Sequence, residues 1–339
     1  MSTKHSQYMQ LAIHEAWKYQ LLTYPNPAVG ATVVKKDKVL AVEAHHEAGS
    51  PHAEVLALKS VYLSNFPNAE LKNLHKSHEI HDYLIKNHNN YFKDCEIYVT
   101  LEPCNHQGKT PACSVLLESI MIKKVYIGTL DPNVVASGGK DRLTNANIEV
   151  EVGINKNETD KLLEPFLKYQ SGHFTFFKMA MREDGTIDGG YITTQESLNL
   201  VHNIRRKIDL MVIGGNTVRH DKPTLDTRFA TNDKSPDILI YSSKNEFDKK
   251  IPLFNVENRK VTISSSLEIM KKKNFVMIEG GYNLLSTLKN EIDYLMLFVS
   301  HKENTQNKYK IDQNEYEYIH SYFINSYDEI IYLKKVNGK

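Results

Sequence analysis

Residues 6–22 place Met9, Ala12, Ile13, Ala16, Trp17 and Leu21 at helical spacing, and Pro25-Asn26-Pro27 stops the pattern. The spacing predicts a helix, then a loop. Residues 29–42 alternate or cluster small and β-branched side chains around Lys36-Asp37-Lys38, which reads as a two-stranded hairpin. Pro51 then opens a run of strong helix formers, so His52 and Glu54 are expected in a first helical turn.

Residues 64–94 are rich in Asn, His, Lys and Tyr. Helical hints at 81–85 show no clear core face, and the segment reads as an exposed insertion. A buried strand at 96–101, a loop at 102–111, a helix at about 113–122 and a strand at 125–129 follow. This order implies a layered α/β domain closing near residue 153. Residues 154–172 form a helix-prone connector around Leu162, Leu163, Phe166 and Leu167. Strands at 174–181, 210–213, 237–241, 261–264, 275–278 and 294–299 then predict a second α/β domain. The expected division is 1–153, connector 154–172, and 173–339.

The length of 339 residues, with 41% hydrophobic and 24% charged side chains, suits two ordinary globular domains. Forty-two basic residues oppose 41 acidic ones. No bulk positive field exists to gather nucleic acid or an anionic membrane, so a small-molecule substrate is favoured. The start has no signal-peptide pattern and no apolar run approaches about 18 residues, which makes a cytoplasmic location the expectation. Homo-oligomerisation is left open.

Only three cysteines are present, and Cys104 and Cys113 share a Pro-containing loop. Metal binding fits them better than a disulfide framework; Cys95 reads as a plain strand residue. His52, Cys104 and Cys113 offer one nitrogen and two thiolates, leaving a fourth position on zinc open for water, whose pKa zinc lowers to about 7. Glu54, two residues beyond His52, could then act as general acid/base without ligating the metal. Alone, His52 and Glu54 would more often be a helix-start histidine and a surface carboxylate. A purely structural zinc site would need a fourth ligand, and His106 follows Cys104 too closely for the common ligand gaps. His-x-Glu and Pro103-Cys104 match the signature of zinc base deaminases, but eight residues separate the cysteines here instead of two.

Three segments account for that spacing: Thr23-Tyr24-Pro25-Asn26-Pro27-Ala28-Val29-Gly30, Pro51-His52-Ala53-Glu54, and the run from Thr100-Leu101-Glu102-Pro103-Cys104 to Thr110-Pro111-Ala112-Cys113. Together they resemble the bifunctional riboflavin-biosynthesis deaminase/reductase family, and the likeness continues through Asp131-Pro132-Asn133 into the C-terminal half. The resemblance implies a cytidine-deaminase-like three-layer α/β/α domain followed by a dihydrofolate-reductase-like α/β domain. It implies two reactions: deamination of 2,5-diamino-6-ribosylamino-4(3H)-pyrimidinone 5′-phosphate, then NADPH-dependent reduction of its ribosyl group to ribityl. Asn26 and His45 would line the deaminase pocket. In the second domain Arg205, Leu225, Arg228 and Glu279 would contact substrate, with Arg205 and Arg228 suited to a phosphate. Met181, Tyr191, Thr193, Thr217, Asp221 and Gly281 would contact the cofactor; Gly280-Gly281 alone reads equally as a turn.

Departures concentrate in the second half. Arg182-Glu183 stands where the family has serine before Leu-Asp-Gly, Tyr191-Ile192-Thr193 replaces Trp-Ile-Thr, Lys222 replaces an aspartate, and 301–308 replaces a Pro-containing continuation. Residues 64–94 also exceed the usual connection. These departures keep a competing reading in view: a single-activity zinc deaminase of another nucleobase or nucleotide, with a degenerate C-terminal binding or dimerisation domain.

Overall fold

A computed structural model describes residues 3–108, 110–187, 190–230, 234–302, 312 and 314–336. Lys109 of the cysteine loop and 303–308 of the altered continuation lie outside them. The chain divides into two compact units, Met1–Phe166 and Leu167–Lys339.

In the first unit, a five-stranded sheet has the order β2-β1-β3-β4-β5. Its strands are β1 (Gly30–Lys35), β2 (Lys38–Ala44), β3 (Cys95–Leu101), β4 (Lys124–Thr129) and β5 (Glu149–Val152). β1 runs antiparallel to β2 and β3, whereas β3, β4 and β5 are parallel. Lys36 and Asp37 turn the β1–β2 hairpin, both at positive φ (49° and 62°), the backbone of a tight two-residue turn. The helices are α1 (Thr3–Trp17), α2 (Ala53–Asn65), α3 (Ser77–Asn87), α4 (Cys113–Ser119) and α5 (Gly139–Asn145).

Strand alternation sorts the helices into layers. Ala31, Val33, Ile97, Val99, Val125 and Ile127 point to one face and join a core with Val55, Leu58, Leu84, Leu116 and Leu143 from α2 to α5. Tyr98 and Tyr126, facing the other way, stack with ring centres 4.3 Å apart and meet His5 and Tyr8 of α1. This is the expected three-layer arrangement. The first helix stops at Trp17 instead of reaching residue 22, and Leu21 lies at φ 73°, where helix cannot continue.

Residues 64–94 are not an exposed insertion. Leu71, Ile80, Leu84 and Phe92 are fully buried and belong to the main core of this unit. The four apolar residues are spread over two 3₁₀ turns and α3, so no single helical period exposes them.

The connector is itself a helix, α6 (Lys156–Gln170), and the unit boundary falls within it. The second unit holds an eight-stranded sheet of order β12-β13-β11-β6-β10-β7-β8-β9. The strands are β6 (Phe174–Arg182), β7 (Leu210–Gly214), β8 (Asp237–Tyr241), β9 (Val261–Ser264), β10 (Phe275–Glu279), β11 (Tyr294–Ser300), β12 (Tyr316–Phe323) and β13 (Asp328–Lys335). β11, β6, β10, β7, β8 and β9 are mutually parallel, and the hairpin β12–β13 adds an antiparallel edge. The near-continuous apolar runs of β6, β10 and β11 match strands covered on both faces. Helices α7 (Gln195–Arg205), α8 (Gly215–Asp221) and α9 (Tyr282–Leu288) connect them.

Candidate active sites

Three chain ends converge in the first unit. His52 caps α2 in an extended conformation (φ −70°, ψ 163°), one residue before the helix and not in its first turn. β3 ends at Leu101, releasing Cys104 into a loop, and Cys113 opens α4. His52 Nδ1 lies 3.6 Å from Cys104 Sγ and 3.3 Å from Cys113 Sγ. One tetrahedral ion with Zn–S near 2.3 Å and Zn–N near 2.0 Å spans an N···S edge of about 3.5 Å, so these three donors fit a single zinc. His52 Nε2 meets Thr110 Oγ1 at 3.2 Å, an outer contact that fixes the imidazole plane. His106 is exposed and, among the described residues, does not join the group.

Glu54 sits in the first turn of α2 and is 4% exposed, so it is no surface carboxylate. Burial pushes its carboxyl upward, opposed by the charge of His52. Hydrogen bonding from Cys113 brings Cys104 down to about 4 against its own burial, while Cys113, hydrogen-bonded to Cys104 and fully buried, is pushed up. Burial lowers His52, but the hydrogen bond and charge of Cys104 outweigh it and leave the imidazole raised. His45 is buried beside the group, its ring edge-on to His52 at 5.3 Å between centres, with Asn26 next to it. Cys95 starts β3, buried and free, away from the cluster.

Glu102 escaped the sequence reading. Its Oε1 accepts the N–H groups of Gly138 (3.1 Å) and Lys140 (2.9 Å), and its Oε2 accepts that of Asp131 (3.2 Å). These bonds brace the loop 131–138 against the segment bearing Cys104, as does Asn105 N–H to Ala136 O at 3.0 Å. Gly139 is required there, because a Cβ on it would fall 1.8 Å from Pro103 O. No motif could announce this, since the partners are backbone amides about thirty positions downstream. Thr110 was missed for a similar reason: a threonine in a loop carries no signal of its own.

In the second unit a cavity of about 1500 Å³ opens where β6, β7, β8 and β10 end, the usual place for ligands in parallel sheets. The expected substrate residues Arg205, Leu225, Arg228 and Glu279 line it. So do Tyr191, Thr193, Thr217, Asp221 and Gly281, expected at the cofactor. Met181 does not: it is buried in the core, where Tyr282 Oη donates to its Sδ at 3.6 Å.

Glu279 bridges Lys178 (3.1 Å) and Arg205 (2.9 Å). Burial raises its carboxyl, but Lys178 and Arg205 overcome that and hold it at about 2. Arg205 and Arg228 are thus not an uncommitted pair. Arg205 is buried against Glu279, while Arg228 is exposed and tied to Asp226 at 2.8 Å. Of the two, only Arg228 presents a largely solvated guanidinium.

Comparison with known proteins agrees with this geometry. Residues 2–129 match the cytidine and deoxycytidylate deaminase zinc-binding region, and residues 176–300 match the RibD C-terminal domain. The riboflavin biosynthesis protein RibD of Aquifex aeolicus is 34% identical over 308 residues, covering 86% of this chain and 79% of that protein. The RibD of Synechocystis is 32% identical over 250 residues, covering 71% of this chain and 60% of that one. The solved diaminohydroxyphosphoribosylaminopyrimidine deaminase/5-amino-6-(5-phosphoribosylamino)uracil reductase of Thermotoga maritima superposes with TM-score 0.61 at 27% identity, covering 98% of this chain and 99% of that one. Fold and site define a chain that joins a zinc-dependent deaminase to a reductase. It belongs to the riboflavin biosynthesis protein RibD family.

Proposed function

We propose that this chain carries out two steps of riboflavin biosynthesis on a phosphoribosyl pyrimidine, deaminating the ring of 2,5-diamino-6-ribosylamino-4(3H)-pyrimidinone 5′-phosphate and reducing its ribosyl group to ribityl. In this reading residues 1–153 form the deaminase and 173–339 the reductase. The observation that carries it is the convergence of His52 Nδ1, Cys104 Sγ and Cys113 Sγ within 4.8 Å, with Glu54 buried beside them, in a chain whose other half holds a cavity of about 1500 Å³.

His52, Cys104 and Cys113 would hold a zinc ion, which when bound would make a water ionise near neutral pH. Glu54 would move protons between the attacking water, the ring nitrogen and the departing amine. Asn26 and His45 orient the ring. NADPH, when bound in the second site, would supply the hydride. There Glu279, kept ionised, fixes Lys178 and Arg205 at the cavity wall, and Arg228 offers its guanidinium to the substrate phosphate. Thr217, Asp221, Gly281, Tyr191 and Thr193, all on the cavity lining, would hold the cofactor. The largely buried Lys178–Glu279–Arg205 network at the cavity wall argues against a degenerate second half.

No helix among the described residues is long and apolar enough to cross a membrane. The reading places the enzyme in the cytoplasm, acting without nucleic acid or membrane, and homo-oligomerisation stays open within it.

Zinc analysis with a coupled ammonia and NADPH assay tests the whole scheme. Glu54→Gln is expected to keep its zinc, lose ammonia release by about 10²-fold or more, and still oxidise NADPH when given the deaminated product. Ammonia release without any NADPH oxidation by the wild type would leave only the deaminase.

A further inference from the structure

In the loop 223–229, Pro223, Thr224, Leu225, Arg228 and Phe229 line the reductase cavity. Leu225 stands at φ 56°, in the left-handed region that a leucine adopts only when its surroundings impose it. The imposing group comes from outside the cavity. Arg259, in the segment before β9, donates from Nη1 to Leu225 O at 2.8 Å and from Nη2 to Thr224 O at 2.7 Å, with Leu253 O as a further acceptor of Nη2. In an extended strand successive carbonyls point to opposite sides. Here both reach one guanidinium, because the chain turns at Leu225.

The other side of the loop rests on α7. Arg205 Nη1 reaches Asp226 O at 3.4 Å, and the Phe229 N–H approaches His202 Nδ1 at 3.4 Å, with the two rings 4.6 Å apart. These contacts are longer than those of Arg259, which leaves the arginine fork as the firmest hold on the turn. Burial, reinforced by Arg205 and opposed by Asp226, lowers Arg259 only to about 10, so it is cationic at neutral pH.

We infer that Arg259 is a positioning residue of the reductase: it touches neither substrate nor cofactor, but holds the left-handed turn at Leu225 and so aims Leu225 and Arg228 at the substrate. The inference rests on the reading that residues 223–229 bind substrate. It calls for a planar, two-pronged donor, which lysine cannot replace because its single nitrogen cannot span two carbonyls in the same geometry.

The test uses the full-length, zinc-loaded enzyme and both half-reactions. Arg259→Ala is expected to raise the KM for the deaminated pyrimidine nucleotide by about tenfold or more, with the KM for NADPH and ammonia release from the diaminopyrimidine unchanged. Millimolar guanidinium chloride is expected to bring that KM back toward the wild-type value by refilling the fork. Arg259→Lys, which keeps the charge and serves if the alanine variant folds poorly, is expected to retain the raised KM. An unchanged pyrimidine KM, or a rise in the KM for NADPH of equal size, overturns the inference. Full activity in Arg259→Lys does so too. A wild type that oxidises no NADPH with the deaminated nucleotide overturns the underlying reading instead, and the inference with it.

Discussion

Asn26 Nδ2 lies 3.1 Å from His45 Nε2, and the opposite ring nitrogen of His45 lies 3.1 Å from Pro51 O. A carbonyl can only accept, so His45 Nδ1 carries the hydrogen and Nε2 accepts from the Asn26 amide. The pair therefore acts as one unit: the Pro51 carbonyl, one residue before His52, sets the histidine tautomer, and the histidine sets the amide. Asn26→Ala and His45→Ala are each expected to lower deaminase kcat/KM about tenfold or more with zinc content unchanged, and the double variant to lose scarcely more than either single one. Steady-state ammonia release from the four proteins of that cycle measures the coupling; strictly additive losses would show two independent contacts.

The carboxylate of Glu102 supports three backbone amides at once. Glu102→Gln keeps the bonds to one oxygen and turns the other end into a donor, facing the Asp131 N–H. Glu102→Ala removes all three acceptors. Expected losses of stability are about 1–3 kcal/mol for the glutamine and more for the alanine, read by urea unfolding. Zinc affinity should weaken in the same order, because the braced loop contacts the segment bearing Cys104.

Phe92 tests whether residues 64–94 belong to the core. It is fully buried, and its truncation to alanine is expected to cost about 3–5 kcal/mol in denaturant unfolding. A cost within ±0.5 kcal/mol, the range usual for surface positions, would restore the exposed-insertion reading.

Burial, joined by the neighbouring Arg205, lowers His202 to about 4. The unfolded chain binds a proton near pH 6.5, while the folded chain waits until about 4. The stability contributed by the neutral imidazole is thus fully present above pH 6.5 and is lost as pH falls through that window. His202→Asn is expected to flatten the drop in Tm between those limits, measured by thermal melts across pH in a single buffer series. An identical slope in wild type and variant would remove His202 from the account.

What could be read from the chain alone follows a physical division. Most strands of both sheets were legible because β-branched and aromatic runs such as Phe174–Met181 and Asp237–Tyr241 leave few alternatives, whereas the edge strand β5 and the edge hairpin β12–β13, with charged or polar residues interleaved, were not legible as strands. The His52, Cys104 and Cys113 cluster was legible because the cysteines fit no disulfide framework and the family resemblance accounts for the eight-residue gap between two of them. The buried role of 64–94 was hidden because each apolar residue there sits in a different short turn, and periodicity needs an uninterrupted element to appear. Arg205, expected at the substrate, lies on the cavity lining, but its commitment to Glu279 depends on β10 lying beside β6 and β7, a pairing no local pattern records. Glu102 and Arg259 act on backbone atoms far along the chain, and backbone atoms leave no mark in a sequence.

The brace on Glu102 also has an order in time. Along the chain His52, Cys104 and Cys113 all precede Asp131, Gly138 and Lys140, whose amides satisfy the oxygens of the carboxylate at the root of the cysteine loop. A nascent chain ending short of α5 thus carries all three candidate ligands but not the support for the segment bearing Cys104. Firm metal capture at these side chains is therefore expected only once the first unit has closed.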